Sequence, residues 1–123
     1  MHKQTWVKVN APVGEGVAEL ILALSSFPKL RTFESCQEDN EHPAVVFFSY
    51  ADSNVDDDIS WRELSEFTLG FLGPRLAHHL GDRVTLSLTI TCWGWPQGEL
   101  IVRPGAILKT VLAIKRIRTE FKD

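Results

Sequence analysis

The strongest constraint on this chain's fold is a run of alternating side chains at residues 84–93. Apolar side chains take every second position: Val84, Leu86, Leu88, Ile90 and Cys92. The positions between them carry hydroxyls and one indole: Thr85, Ser87, Thr89, Thr91 and Trp93. Because successive strand residues point to opposite faces of a sheet, this pattern predicts a strand with one buried face and one uncovered, hydroxyl-rich face. An antiparallel sheet fits, since parallel sheets are covered on both faces.

Length and composition favour one ordinary globular domain. With 123 residues, 44% of them hydrophobic and 24% charged, the chain can bury one core and is too short for two. We therefore predict a single domain over residues 1–123. The first residues lack the apolar core of a signal peptide, no apolar run is long enough to cross a membrane, and Cys36 and Cys92 are too few for a disulfide scaffold. We expect a cytoplasmic protein that makes no membrane contact.

Periodicity along the rest of the chain predicts alternating strands and helices. The strands are expected at residues 5–9, 30–36, 44–50, 84–93 and 99–103, and the helices at 15–27, 60–80 and 106–121. The first six elements have the β-α-β-β-α-β order of ferredoxin-like domains, followed by an extra strand and a C-terminal helix. Right-handed crossovers place the helices on one side of the sheet. We predict an α+β fold of order βαββαββα, with a mainly antiparallel sheet of about five strands and helices on one face.

Local signals refine two of these elements. Residues 44–50 are apolar on both faces, which places this strand in the centre of the sheet. Ser60 and Glu63 fit a capping box, so the second helix is expected to begin near Ser60. Pro74 lacks an N–H and predicts a kink or a restart of that helix, and Gly81 is expected to end it.

The uncovered face predicted from residues 84–93 is the first candidate for function. Aromatic and hydroxyl side chains are expected to gather there, and such a patch on a monomer marks an interaction site. The expected interface residues are Trp6, Thr85, Ser87, Thr89, Thr91 and Trp93. Because uncovered sheet faces pack about 10 Å apart and a twofold contact uses one patch twice, we predict a homodimer. Another protein partner on the same face is an open alternative.

Binding of single-stranded nucleic acid on this face is a further alternative. RNA-recognition domains share the β-α-β-β-α-β order and stack bases on aromatic side chains of the sheet. The strand at 44–50 lacks their glycine and aromatic signature, however. The loops beside it are acidic, whereas phosphate binding needs basic residues. The sequence therefore disfavours nucleic acid as the partner.

An acidic stretch at residues 52–63 resembles the ligand loop of an EF-hand. That loop supplies calcium with oxygen ligands from its first, third, fifth, seventh, ninth and twelfth positions. The candidate metal ligands at these spacings are Asp52, Asn54, Asp56, Asp58 and Glu63. Asp57 stands where the sharp turn needs glycine, and a predicted strand precedes the stretch instead of a helix. Calcium is an alternative ligand, and the competing interpretation is that these acids stabilise a helix N-terminus.

Signals for catalysis are sparse. Cys36 and His42 lie close in sequence, but thiolate chemistry needs a base or a helix N-terminus beside the sulfur. His78 and His79 occupy adjacent helical positions and cannot bind one metal as an i, i+4 pair does. The chain has no phosphate loop and no nucleophile elbow. We expect a non-enzymatic interaction or accessory module, with calcium as the one cofactor under consideration.

Charge is unevenly distributed although the net charge is only −3. Residues 34–66 contain ten acids and one base, whereas residues 103–123 contain six bases and two acids. Such asymmetry is typical of an anionic partner at one end or of a head-to-tail contact between copies, and a solvated helix face produces it as well. All three interpretations stay open at the level of sequence.

Overall fold

Four strands form one open antiparallel sheet in this computed structural model, which describes residues 12–36, 41–50, 57–90, 94 and 96–122. The strands are β1 (Leu30–Cys36), β2 (Ala44–Tyr50), β3 (Val84–Ile90) and β4 (Pro96–Val102). Their spatial order is β1-β2-β4-β3, and each neighbouring pair is antiparallel. The strand that is apolar on both faces, β2, lies between β1 and β4, so its predicted central position is confirmed.

Helices form the second layer. The first helix, α1 (Pro12–Ser25), precedes β1, and the last, α4 (Ile107–Glu120), follows β4. Between β2 and β3 the chain forms one continuous helical stretch: α2 (Asp57–Ser65), a π-helical segment (Glu66–Leu72) and α3 (Gly73–Leu80). Gly81 ends this stretch as predicted, with φ of 58°. No helix in the described ranges is both long and apolar enough to cross a membrane. The fold is α+β, as the periodicity predicts.

The sheet order differs from the ferredoxin-like order expected from the sequence. That order places the strand predicted at residues 5–9 beside β2, whereas β2 pairs directly with β4, with Val46 opposite Leu100. Pairing between distant segments leaves no trace in local periodicity, which is why the sequence does not reveal it. The strand predicted at residues 5–9 lies outside the described residues, so a fifth strand and a ferredoxin-like arrangement stay unconfirmed.

The helical stretch between β2 and β3 begins earlier than expected and restarts where proline predicts. It begins at Asp57, before Ser60, because acidic residues are stable in a first helical turn. The N–H of Gly73 donates to the carbonyl oxygen of Thr68, five residues back, which is the hydrogen bond of a π-helix. Pro74 then falls in the first turn of α3, a position at which the fixed φ of proline suits a helix.

The core lies between the helices and one face of the sheet. The buried apolar residues of the two central strands are Ala44, Val46, Phe48, Tyr50, Leu100 and Val102. Phe27, which follows α1, is fully buried and packs edge-to-face against Phe67 and Phe121, with ring centroids 5.1 and 5.3 Å away. Because buried positions alternate along β2 and β4, the described helices cover only one face of the sheet.

Candidate functional site on the open face of the sheet

Strand register divides the side chains of the sheet between two faces. Val46 and Leu100 are opposite each other on the helix side and are fully buried. The next pair, Val45 and Ile101, lies on the other side and is only half-buried. We call that side the open face. On β2, β3 and β4 it comprises Val45, Phe47, Ser49, Thr85, Ser87, Thr89, Gln97, Glu99 and Ile101.

Three apolar side chains lie next to one another on the two central strands of the open face. Val45 and Phe47 lie on β2, and Ile101 lies on β4 directly opposite Val45. Opposite side chains in a sheet have Cβ atoms roughly 5 Å apart and diagonal neighbours roughly 7 Å apart, so these three side chains form one patch. We call this patch the apolar strip. A water-facing side of an antiparallel sheet is normally polar, and the apolar strip departs from that rule.

Hydroxyl groups lie beside the apolar strip on β3, and the carboxyl group of Glu99 lies on β4, opposite Phe47. Thr85 is exposed. Ser87 donates from Oγ to Oε1 of Glu99 at 3.4 Å. The hydroxyl of Thr89 is shielded from solvent and has no hydrogen-bond partner in the described structure. Thr85 and Ser87 are therefore the hydroxyls of β3 that a partner on the open face can contact.

The predicted interface residues divide into two groups. Thr85, Ser87 and Thr89 lie together on the open face. The other three lie outside the described residues: Trp6, Thr91 and Trp93. Sequence reasoning did not assign Val45 and Ile101 to this face. The signal was present, because a strand that is apolar on both faces must place apolar side chains on the open face of a sheet covered on one side.

The candidate calcium ligands are only partly described. Three lie outside the described residues: Asp52, Asn54 and Asp56. Asp58 lies in α2, and Glu63 forms an ion pair with Lys29, with Oε2 and Nζ 2.8 Å apart. The described ranges contain no group of three or more His, Cys, Asp or Glu residues that could hold a metal ion. The calcium hypothesis stays untested, and no described contact favours it.

The residues considered for catalysis lie on different elements of the fold. Cys36 ends β1, which is one edge of the four-strand order. His78 and His79 end α3, which packs against β3 at the other edge. Both histidines are exposed, and their ring centroids are 5.4 Å apart. The backbone therefore places Cys36 on one edge strand and the histidine pair on a helix that packs against the other edge strand.

A groove between α3 and α4 is a second surface that sequence reasoning missed. Basic and apolar residues line it: His79, Leu80, Arg83, Lys109, Leu112, Ala113 and Arg116. Lys109, Leu112 and Arg116 follow the i, i+3, i+7 spacing of one helix face, which was visible in the sequence. The same spacing fits a solvated helix, so only the packing of α3 beside α4 distinguishes a groove.

Comparison of the chain with protein-family models, curated proteins and solved structures finds no match. The geometry of its own surfaces is therefore the basis for assigning a function.

Proposed function

We propose that this protein is a non-enzymatic interaction module that self-associates through the open face of its sheet. The observation that carries the proposal is the apolar strip. Val45, Phe47 and Ile101 lie on the two central strands, on the side away from the described helices. Burial of such apolar surface against a partner is favourable, because it removes the surface from water.

A second copy of the chain is the occupant that best fits a flat sheet face. Two uncovered faces pack about 10 Å apart, and a twofold axis lets the same patch serve both copies. Thr85 and Ser87 lie on the same face, and their hydroxyls are compatible with both water and a protein neighbour. This arrangement gives the apolar strip an apolar counterpart in the second copy.

The size of the open face predicts weak association. Strands of seven residues at roughly 3.3 Å per residue, spaced roughly 4.8 Å apart, give a face of roughly 23 by 19 Å. The area of this face is about half of the roughly 800 Å² that each partner buries in a standard interface. Glu99 also lies on this face, and its carboxylate must stay hydrogen-bonded inside an interface. We therefore expect dissociation constants in the micromolar to millimolar range.

The proposal includes two further expectations. The cytoplasm is the proposed location, supported by a sequence whose two cysteines are too few for a disulfide framework. The strand predicted at residues 5–9 is proposed to extend the sheet at an edge strand, β1 or β3, because β2 and β4 already pair with each other. Nucleic acid is less favoured, since Phe47 is the one aromatic side chain among the open-face residues named above.

Sedimentation velocity over a concentration series tests the proposal. We expect the wild-type sedimentation coefficient to rise with concentration between about 10 µM and about 1 mM. Phe47→Glu places a charge in the apolar strip and Thr85→Arg adds one at an exposed position, so both variants should stay monomeric. Leu22→Glu is the matched control, because Leu22 is 71% exposed on α1, on the helix side.

Thermal unfolding checks that each variant is folded. Thr85→Arg keeps the test decisive if Phe47→Glu does not fold, because an exposed strand residue tolerates substitution. A wild-type protein that is monomeric at the highest concentration would contradict the proposal. Equal association of Thr85→Arg and wild type would also contradict it, because the contact would then lie elsewhere.

A further inference from the structure

The α3–α4 groove is an open concavity on the helix side of the molecule, away from the open face. Its volume is about 490 Å³. The end of α3 and the turn after it contribute His79 and Arg83, and α4 contributes Lys109 and Arg116. All four side chains are exposed. No acidic residue is among the described residues that line the groove.

The cations of the groove are not neutralised within the described structure. No described carboxylate forms an ion pair with Arg83, Lys109 or Arg116. Arg83 instead donates from Nη1 to the carbonyl oxygen of Leu80 at 3.4 Å. Arg75 on α3 differs, because its Nε lies 3.3 Å from Oε1 of Glu120. Uncompensated cations that share one groove create a positive potential and attract an anionic partner.

Apolar side chains form the remainder of the groove. Leu112 lies between Lys109 and Arg116 on one face of α4 and is 58% exposed. Leu80 and Ala113 are buried beneath it and close the floor. A large aliphatic side chain that lies exposed between two cations matches a ligand that has both apolar groups and negative charges.

We propose that the α3–α4 groove binds an acidic, amphipathic segment of a partner protein. This function goes beyond self-association, because the groove lies on the helix layer and not on the open face. Lys109 and Arg116 are separated by two helical turns, which is roughly 10 Å along α4. A helical partner segment that lies along α4 would match them with acidic residues at i and i+7 and with an apolar residue between them for Leu112.

Two other anionic ligands fit the groove less well. A free phosphate is best held where backbone N–H groups converge at a helix N-terminus. The groove instead includes His79 and Leu80, at the C-terminal end of α3, where the free backbone groups of a helix are carbonyl oxygens and not N–H donors. Single-stranded nucleic acid needs aromatic platforms for its bases, and the described lining contains no Phe, Tyr or Trp.

Fluorescence anisotropy with a designed probe tests this proposal. The probe is a fluorescein-labelled, alanine-based helical peptide with glutamates seven residues apart and a leucine between them. A second peptide has lysine in place of each glutamate. We expect the acidic peptide to bind the full-length protein and the basic peptide not to bind. Binding of the acidic peptide should weaken as salt is raised, because these ion pairs are solvent-exposed.

Substitutions on α4 provide matched controls. Arg116 lines the groove and the neighbouring Lys115 does not, although both are exposed on α4. Arg116→Glu should therefore weaken peptide binding by about tenfold, and Lys115→Glu by less than about twofold. Leu112→Ser should weaken binding more than Leu108→Ser, although Leu108 is slightly more exposed than Leu112. Circular dichroism confirms that each variant keeps the native helix content.

The outcomes distinguish this site from the open face. Phe47→Glu should abolish self-association and keep peptide binding, so either proposal can fail alone. Equal losses of peptide affinity in Arg116→Glu and Lys115→Glu would overturn the assignment of the groove as the binding site, because the attraction would then be non-specific. Tighter binding of a single-stranded oligonucleotide than of the acidic peptide would also overturn the assignment of a partner protein. So would a wild-type protein that does not bind the peptide, combined with an Arg116→Glu variant that no longer self-associates.

Discussion

The two faces of one sheet show how differently the same strand residues are used. Phe47 and Phe48 are adjacent on β2, yet Phe48 is fully buried beneath the helices and Phe47 is half-buried on the open face. Both are phenylalanines on a central strand, so their intrinsic strand preference is the same. The difference teaches that β2 is apolar on both sides although the described helices cover only one side.

The edge strand β3 follows the opposite rule. Its open-face residues carry hydroxyls, and Thr85 is exposed. Its helix-facing residues, Leu86 and Leu88, are only half-buried because the helices cover this edge incompletely. Hydroxyl side chains therefore line the β3 margin of the open face, and the apolar strip shares the two central strands with Ser49, Gln97 and Glu99. This contrast between centre and margin is what favours an interaction surface over a merely solvated sheet.

The largest expected effect tests the covered face. Phe48→Ala should lower the free energy of unfolding by about 3–5 kcal/mol, because it removes a fully buried ring and leaves a cavity. Phe47→Ala should cost at most about 1.5 kcal/mol in dilute solution, because part of its ring already contacts water. Urea denaturation measures both. Similar losses of stability in the two variants would contradict the difference between the faces, because the ring of Phe47 would then be as buried as that of Phe48.

A smaller effect is expected where the backbone of β4 approaches the core. The ring of Phe48 lies over Gly98, and a Cβ at Gly98 would overlap it. Gly98→Ala should therefore cost about 1–3 kcal/mol through overpacking. Gly70→Ala is the control: a Cβ there meets no atom within 4 Å, and alanine is favoured over glycine in a helix by about 0.5–1 kcal/mol. Thermal unfolding should show a lower midpoint for Gly98→Ala and a higher midpoint for Gly70→Ala. A stabilised Gly98→Ala variant would contradict the close packing of Phe48 on Gly98.

Two buried threonines sharpen the description of the covered side. Both are fully buried, but Thr110 donates from Oγ1 to the carbonyl oxygen of Ala106 at 2.8 Å, whereas Oγ1 of Thr68 has no partner in the described structure. Thr110→Val should lower stability by about 1 kcal/mol, and Thr68→Val should raise it by about the same amount. Chemical denaturation of the two variants checks the signs. Destabilisation by Thr68→Val would show that its hydroxyl is hydrogen-bonded.

The smallest effect is expected at the margin of the open face. Ser87→Ala removes a long, half-exposed hydrogen bond to Glu99 and should change the free energy of unfolding by less than about 0.5 kcal/mol. Urea denaturation at low protein concentration is the measurement. A loss above about 1.5 kcal/mol would place Ser87 in an interior and would remove the difference between the two faces.

Local signals in the sequence predicted the strands well and the pairing poorly. The bounds of β1 and β2 agree with those expected, because turn residues such as Pro28 and Pro43 precede the two strands. The alternation at 84–90 predicted the two faces of β3, because successive strand residues point to opposite sides of a sheet. The direct pairing of β2 with β4 depends on contacts between distant segments, which no local window contains.

The candidate sites differ in how far the sequence could predict them. The hydroxyl residues of β3 follow from alternation alone, but Ile101 joins the apolar strip only through its register with Val45. The groove needs α3 beside α4, which is tertiary information. The π-helical segment could not be foreseen either, since its one-residue shift in hydrogen bonding disturbs a helical pattern only slightly.

Methyl NMR with a soluble paramagnetic agent tests most directly whether a second copy covers the open face. In dilute solution the account predicts strong broadening of the methyl signals of Val45 and Ile101 and protection of those of Val46 and Leu100. At high concentration the first pair should become protected as well. Equal protection of all four residues in dilute solution would contradict the account, because the chain itself would then cover both faces of the sheet.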